Sequence, residues 1–228
     1  FELKKINSSL LEENLVLKNQ LEKINKNISL DSLTNINFSY KNAKVISNNL
    51  SSFKNRLVIN KGIKDGLKNE MGVINSTGIV GIINRTSKNY SSVMSVLNID
   101  TKINAKVKRT SHFGTLEWNG RRTSYLVLND IPETANIKVG DSIITGGMSL
   151  IFPEGINIGV VSEIINQNKI SDTVVRFKGN INEANYLDFE FKENYLTVKV
   201  KLHTDMNNLN NVYVIESLNR EEFQKIKK

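Results

Sequence analysis

Val139-Gly140-Asp141-Ser142-Ile143-Ile144-Thr145-Gly146-Gly147, followed by Phe152-Pro153-Glu154-Gly155-Ile156-Asn157-Ile158-Gly159, is the stretch from which the fold can be read. Its apolar runs are too short for helices, are rich in β-branched residues and are bounded by glycine. Val, Ile and Thr are stiff at χ1 and suit a pleated surface, while glycine supplies the backbone angles of tight turns. The stretch predicts a turn at Gly140-Asp141, a strand ending at Thr145, a compact loop closed by Gly155, and a second strand through Gly159.

The same signature recurs on both sides. Runs rich in Val and Ile appear at Ala43–Ile46, Arg56–Asn60, Gly72–Asn75, Gly78–Asn84, Ser92–Leu97, Ile103–Val107, Phe113–Trp118 and Thr123–Leu128. Beyond Gly159 they continue at Thr173–Phe177, Tyr195–Leu202 and Asn211–Ile215. Many short strands with frequent turns indicate a sandwich or a barrel. Turns are expected at Gly62 and at Asp65-Gly66, and Asn119-Gly120 reads as a two-residue type I′ hairpin. Gly78 and Gly81 bracket Ile79-Val80 within a strand, where glycine marks a bend, a bulge or a close backbone approach. Neither glycine-rich phosphate-binding fingerprint is present.

Residues 1–30 have a different period. They contain no Gly or Pro, and Leu3, Leu10, Leu17 and Ile24 fall seven apart, as do Asn7, Asn14, Leu21 and Ile28. With the first set at d and the second at a, the segment reads as a coiled coil with two asparagines in its seam. Asparagine at a costs stability but fixes register, which favours a parallel pair. Glu13 at g and Lys18 at the following e position suit an interchain ion pair. The spacing also suits an amphipathic helix packed on its own domain, and the two asparagines also suit a weak zipper; self-association is the preferred reading. The heptads are already under way at Phe1, so a preceding segment is expected.

Composition narrows the chemistry. The chain has 228 residues, 31 Lys plus Arg against 23 Asp plus Glu, a formal charge of +8 and no cysteine. Disulfides, Cys-based zinc sites and a cysteine nucleophile are therefore excluded. The basic residues are dispersed apart from the Lys225–Lys228 tail. No basic segment leads into the zipper, and no aromatic-basic RNA-binding pattern occurs, so nucleic acid is not an expected partner. No run approaches the length of a membrane span. His112, Asp130 and Ser142 stand in the order of a serine-protease triad, and Gly140-Asp141-Ser142 echoes its nucleophile motif. All three lie close in sequence, and Ile143 occupies the position where such enzymes have a glycine, so a turn before a strand is the preferred reading. His203-Thr204-Asp205 reads as a strand-end turn rather than a metal site, and Trp118 as a core or rim aromatic. No cofactor, metal or catalytic residue is expected.

Three stretches in order resemble the rod-shape-determining MreC family of bacterial cell-elongation proteins. They are Val58-Ile59-Asn60-Lys61-Gly62-Ile63-Lys64-Asp65-Gly66-Leu67 running on to Met71-Gly72-Val73, then Gly78-Ile79-Val80-Gly81-Ile82-Ile83, then the opening stretch quoted above. Gly146 stands where many relatives have serine. The resemblance implies a mainly β fold: a coiled-coil helix over 1–32 followed by two small barrels, paired as in chymotrypsin-like proteases but without an active site. It places the first barrel at 33–105, completed by 196–217, and the second at 106–165, with a variable insertion at 166–195 and a basic tail at 218–228.

It further implies a noncatalytic scaffold on the periplasmic side of the inner membrane, held by an upstream anchor. The expected partners are a second copy, the elongation-specific penicillin-binding transpeptidase, MreD and the MreB system. A periplasmic adaptor of an efflux or secretion system is the alternative, although such adaptors use a helical hairpin and this chain offers one helix. The loop carrying Met148, Leu150, Ile151, Phe152 and Ile156 is the candidate assembly or partner site. Its apolar side chains either plug the end of their own barrel or remain exposed as a docking patch.

Overall fold

The computed structural model describes residues 38–165 and 195–226. The expected coiled coil, with Leu3, Asn7, Leu10, Asn14, Leu17, Leu21, Ile24 and Ile28, lies outside the described residues. So do the Thr173–Phe177 run and the insertion up to residue 194.

Twelve antiparallel strands close into two six-stranded barrels. The first contains β1 (Phe38–Asn49), β2 (Lys54–Ile59), β3 (Gly72–Ile74), β4 (Ile79–Thr86), β5 (Ser91–Asn98) and β12 (Asn211–Ser217), in the order β1-β12-β3-β4-β5-β2. The second contains β6 (Lys102–Val107), β7 (Phe113–Glu117), β8 (Tyr125–Pro132), β9 (Ser142–Thr145), β10 (Asn157–Ile165) and β11 (Tyr195–Leu202), ordered β10-β11-β8-β7-β6-β9. Alternation decides which side chains fill each interior. On β2, Asn55, Leu57 and Ile59 point inward; on β11, Leu196, Val198, Val200 and Leu202 do so, with Lys199 and Lys201 less buried. Ile79–Ile83 of β4 are buried without interruption, which explains an unbroken apolar run in place of alternation. Closure leaves no unpaired ladder edge on either barrel.

The expected boundaries need correction. Strand Ile103–Val107 belongs to the second barrel, pairing with β7 and β9, not to a first barrel ending at residue 105. Tyr195–Leu202 also belongs to the second barrel, between β10 and β8; Asn211–Ser217 alone closes the first. The divide at Asn98 has a local cause. The Asn98 amide donates to the Asn55 carbonyl at 3.1 Å, and its side-chain oxygen accepts the Asp100 N–H at 2.9 Å. Thr101 Oγ1 donates to the Ser95 carbonyl at 2.8 Å, which turns the chain out of the first barrel. The expected tail contains a short helix, α1 (Arg220–Ile226). The Arg220 guanidinium holds it to the first barrel by donating to the Glu70 carbonyl at 2.7 Å and to the Glu70 carboxylate.

Asn119-Gly120 is not a two-residue hairpin. Strands β7 and β8 are separated by residues 118–124, and positive φ occurs at Gly120 (76°) but not at Asn119. Trp118 is the reason: its ring is buried and its indole N–H donates to the Arg122 carbonyl at 3.1 Å, drawing the segment into a closed loop. The turn at Asp65-Gly66 follows expectation, as a 3-10 turn at Ile63–Asp65 ended by Gly66 at φ 76°.

Candidate interaction site

The loop between β9 and β10 is pinned at its base by Thr145, which is buried. Its hydroxyl donates to the Pro153 carbonyl at 2.5 Å and accepts the Ile156 N–H at 2.9 Å. Asn104 of β6 fixes the other limb, its carbonyl accepting the Gly146 N–H at 3.0 Å and its side-chain oxygen the Met148 N–H at 3.3 Å. Lys106 joins Glu154 at 2.5 Å and lies 5.5 Å from the Phe113 ring centre.

So held, the loop aims Phe152 at the other barrel. Phe152 is 2% exposed, and its ring lies against Gly72 at the start of β3: a Cβ at residue 72 would come within 2.7 Å of Phe152 Cε1 and 2.5 Å of the Ile151 carbonyl. Of the two expected readings, an exposed docking patch does not hold for Phe152, which is buried. Gly72 has no side chain, and the vacant volume admits an aromatic ring from the neighbour. Leu150, Ile151 and Ile156 are half-buried, whereas Met148 is 67% exposed. A docking patch on this loop therefore reduces to Met148 and the accessible parts of its neighbours.

Two further contacts tie the barrels, and sequence reading did not find them. The Phe53 ring in the β1–β2 hairpin, 64% exposed, touches Gly120 along one edge, where a Cβ would approach it to 2.8 Å. In the β3–β4 turn, Asn75 Oδ1 accepts the N–H groups of Thr77 and Gly78 at 3.0 and 2.9 Å. Thr77 Oγ1 donates to Thr204 Oγ1, in the link from β11 to β12, at 3.3 Å, and Gly78 sits against the Asn157 carbonyl. A lone Phe in a loop and an Asn-x-Thr-Gly turn carry no sequence signal for a contact so distant in the chain.

Of the triad-like residues, His112 lacks the contact that a triad needs. His112 Nδ1, which a triad requires on a carboxylate, is buried without a hydrogen-bond partner. Asp141, of the Gly140-Asp141-Ser142 echo, is engaged by Arg109 through two bonds of 2.8 and 2.7 Å and by the Lys138 N–H at 2.8 Å. The Arg109 guanidinium, aided by that backbone bond, holds the Asp141 carboxyl below the usual range. Gly140, at φ 93°, makes the expected turn before β9. His203-Thr204-Asp205 is a strand-end turn: the His203 N–H donates to the Ile158 carbonyl, and Asp205 accepts the Asn207 N–H. Gly81 and Gly159 are close approaches, to the Met94 and Lys201 carbonyls respectively.

The family model described as "Rod shape-determining protein MreC, barrel core" matches residues 45–216. The chain is 31% identical over 150 residues to the cell shape-determining protein MreC of Listeria monocytogenes, covering 63% of this chain and 51% of that protein. It is 28% identical over 181 residues to its Haemophilus influenzae counterpart, covering 78% and 51% respectively. The chain thus spans about half the length of these curated relatives. A solved MreC structure from Listeria shares its fold, with a TM-score of 0.69 at 23% identity and coverage of 92% of this chain and 90% of that one. The MreC of a Helicobacter pylori complex with the penicillin-binding protein PBP2 shares it at a TM-score of 0.57 and 16% identity, covering 80% and 100%. The paired closed barrels, the glycine-dependent seam and the match across most of the chain agree: this chain belongs to the rod shape-determining MreC family.

Proposed function

We propose that the chain is the extracytoplasmic part of a noncatalytic scaffold that maintains cell shape by self-associating and positioning a peptidoglycan transpeptidase. The observation that carries this reading is the seam. Phe152 is buried against Gly72 of the neighbouring barrel, on the same loop from which Met148 stands exposed. Holding two barrels in one orientation suits presentation to partners. The Helicobacter relative captured with PBP2 supports a transpeptidase as one partner, and a relative described as a cell shape-determining filament supports self-association. The zipper at 1–32 supplies a parallel dimer, an upstream anchor holds the chain at the inner membrane, and MreD and the MreB system complete the assembly.

The test is complementation in shape-depleted cells by the full-length gene carrying Leu10→Asp with Leu17→Asp, or Met148→Asp. The zipper variant is expected to give rounded cells and a monomeric mass at micromolar concentration, and the Met148 variant to lose transpeptidase binding with its melting temperature unchanged. Rod-shaped growth with both variants, despite normal protein levels, would refute the proposal.

A further inference from the structure

The two ends of the first barrel differ. One meets the second barrel through the β3–β4 turn and the β11–β12 link, while Phe152 reaches the barrel wall at Gly72. The other gathers Phe38 at the start of β1, Ser217 at the end of β12, the segment from Asn60 to Met71, and the turn from Ser87 to Tyr90. The last two segments form one platform. The Ile63 and Lys64 N–H groups donate to the Ser87 and Lys88 carbonyls at 2.9 and 3.2 Å, and Ser91 Oγ donates to the Lys61 carbonyl at 2.7 Å. Gly62 is pressed so closely on this turn that a Cβ would come within 2.7 Å of the Lys88 oxygen and the Tyr90 nitrogen. Asp65 Oδ1 accepts from Lys61 Nζ at 2.8 Å and Oδ2 from the Gly62 N–H at 3.1 Å, closing the segment on itself.

This platform exposes two large apolar groups at adjoining tips, Ile63 at 59% and Tyr90 at 50%. Lys64, Arg85 and Lys88 beside them are exposed and form no salt bridge among the described residues. Three acids at this end are neutralised within the fold: Asp65 by Lys61, Glu216 by Lys41 and Glu70 by Arg220. The uncompensated charge around Ile63 and Tyr90 is therefore positive.

We propose that this end of the first barrel binds the surface of an anionic lipid bilayer. Ile63 and Tyr90 enter the interfacial layer while Lys64, Arg85 and Lys88 face the headgroup phosphates. Tyrosine suits a boundary that is apolar on one side and wet on the other, and cations concentrate at an anionic leaflet. A soluble polyanion would satisfy the cations but would leave Ile63 and Tyr90 in water, which is why lipid is the occupant the surface favours.

Sedimentation of the full chain with vesicles of phosphatidylglycerol and phosphatidylcholine, against phosphatidylcholine alone, tests the proposal. Binding is expected only with the anionic vesicles and should weaken with salt. Lys64→Ala with Lys88→Ala should weaken it about 25-fold, at about fivefold per cation removed. Ile63→Ser with Tyr90→Ser should weaken it about tenfold through lost apolar burial. All four side chains are exposed, so melting temperatures should not move. Lys108→Ala with Lys138→Ala, at the end of the second barrel remote from the first, should leave binding unchanged. Equal loss in that control pair overturns the proposal. So does anionic-vesicle binding indifferent to Ile63 and Tyr90, or polyglutamate binding with the same dependence on all four residues.

Discussion

Replacing Phe152 by Ala should separate the stability of the seam from that of the barrels. The side chain is 2% exposed and lies against a position with no side chain of its own, so its removal leaves a cavity that the Gly72 backbone cannot fill. Transfer of a buried Phe accounts for about 2–3 kcal/mol, and the cavity raises the expected cost to about 3–5 kcal/mol. For a unit of this size, that corresponds to a melting temperature lower by about 6–20 °C. The converse perturbation is Gly72→Ala, which brings a methyl group within 2.7 Å of the Phe152 ring and should cost about 1–3 kcal/mol by overpacking. The two changes act on one contact and should therefore not add. In the Phe152→Ala background the Gly72→Ala penalty should fall by about 1 kcal/mol, the remainder coming from the Ile151 carbonyl. Urea melts of the wild type, both single variants and the double variant close the cycle. Additivity within about 0.5 kcal/mol would show that Phe152 does not rest on β3.

Two other outcomes follow from polar contacts. Asn98→Ala should cost about 1–3 kcal/mol, read as a lower urea midpoint, because it strips the Asn55 carbonyl of a donor at a site where both residues are 1% exposed. Asp141→Asn should destabilise at neutral pH by an amount that shrinks as the solution is acidified. The folded carboxyl lies below its usual range, so its contribution is complete above the unfolded value and disappears as pH falls through the lowered one. Denaturation midpoints across that acid range give the check, and a gap that widened with acid would contradict the Arg109 pairing.

Most of the strands were legible because the evidence for each is local. Runs such as Val198–Leu202 and Ile143–Thr145 carry alternation or β-branched density within a few residues, and glycines mark their limits. Which barrel a strand joins depends on pairing at long range. Nothing in Tyr195–Leu202 distinguishes a partner at Gly159 from one at Phe38; the register with β10 decides it. The same limit hid the seam. Phe152 reads in the sequence as one apolar residue in a loop with too many of them, but the cavity it fills belongs to Gly72, which by itself reads only as a strand-start glycine. Asn119-Gly120 failed for a different reason: a buried Trp118 overrode the local turn preference.

The placement of β12 bears on how the chain folds as it emerges from a ribosome or a translocation channel. β1 and β3 both pair with β12, so each offers a bare ladder edge until Asn211–Ser217 arrives, although β2 to β5 are complete by Asn98. The entire second barrel is spun out in that interval. Bare edges recruit strands from other chains, and contacts so far apart along the chain form slowly. The first barrel therefore passes its vulnerable period as an open sheet, and the last strand serves as its latch. Truncation before Asn211 would leave both edges of that sheet permanently open.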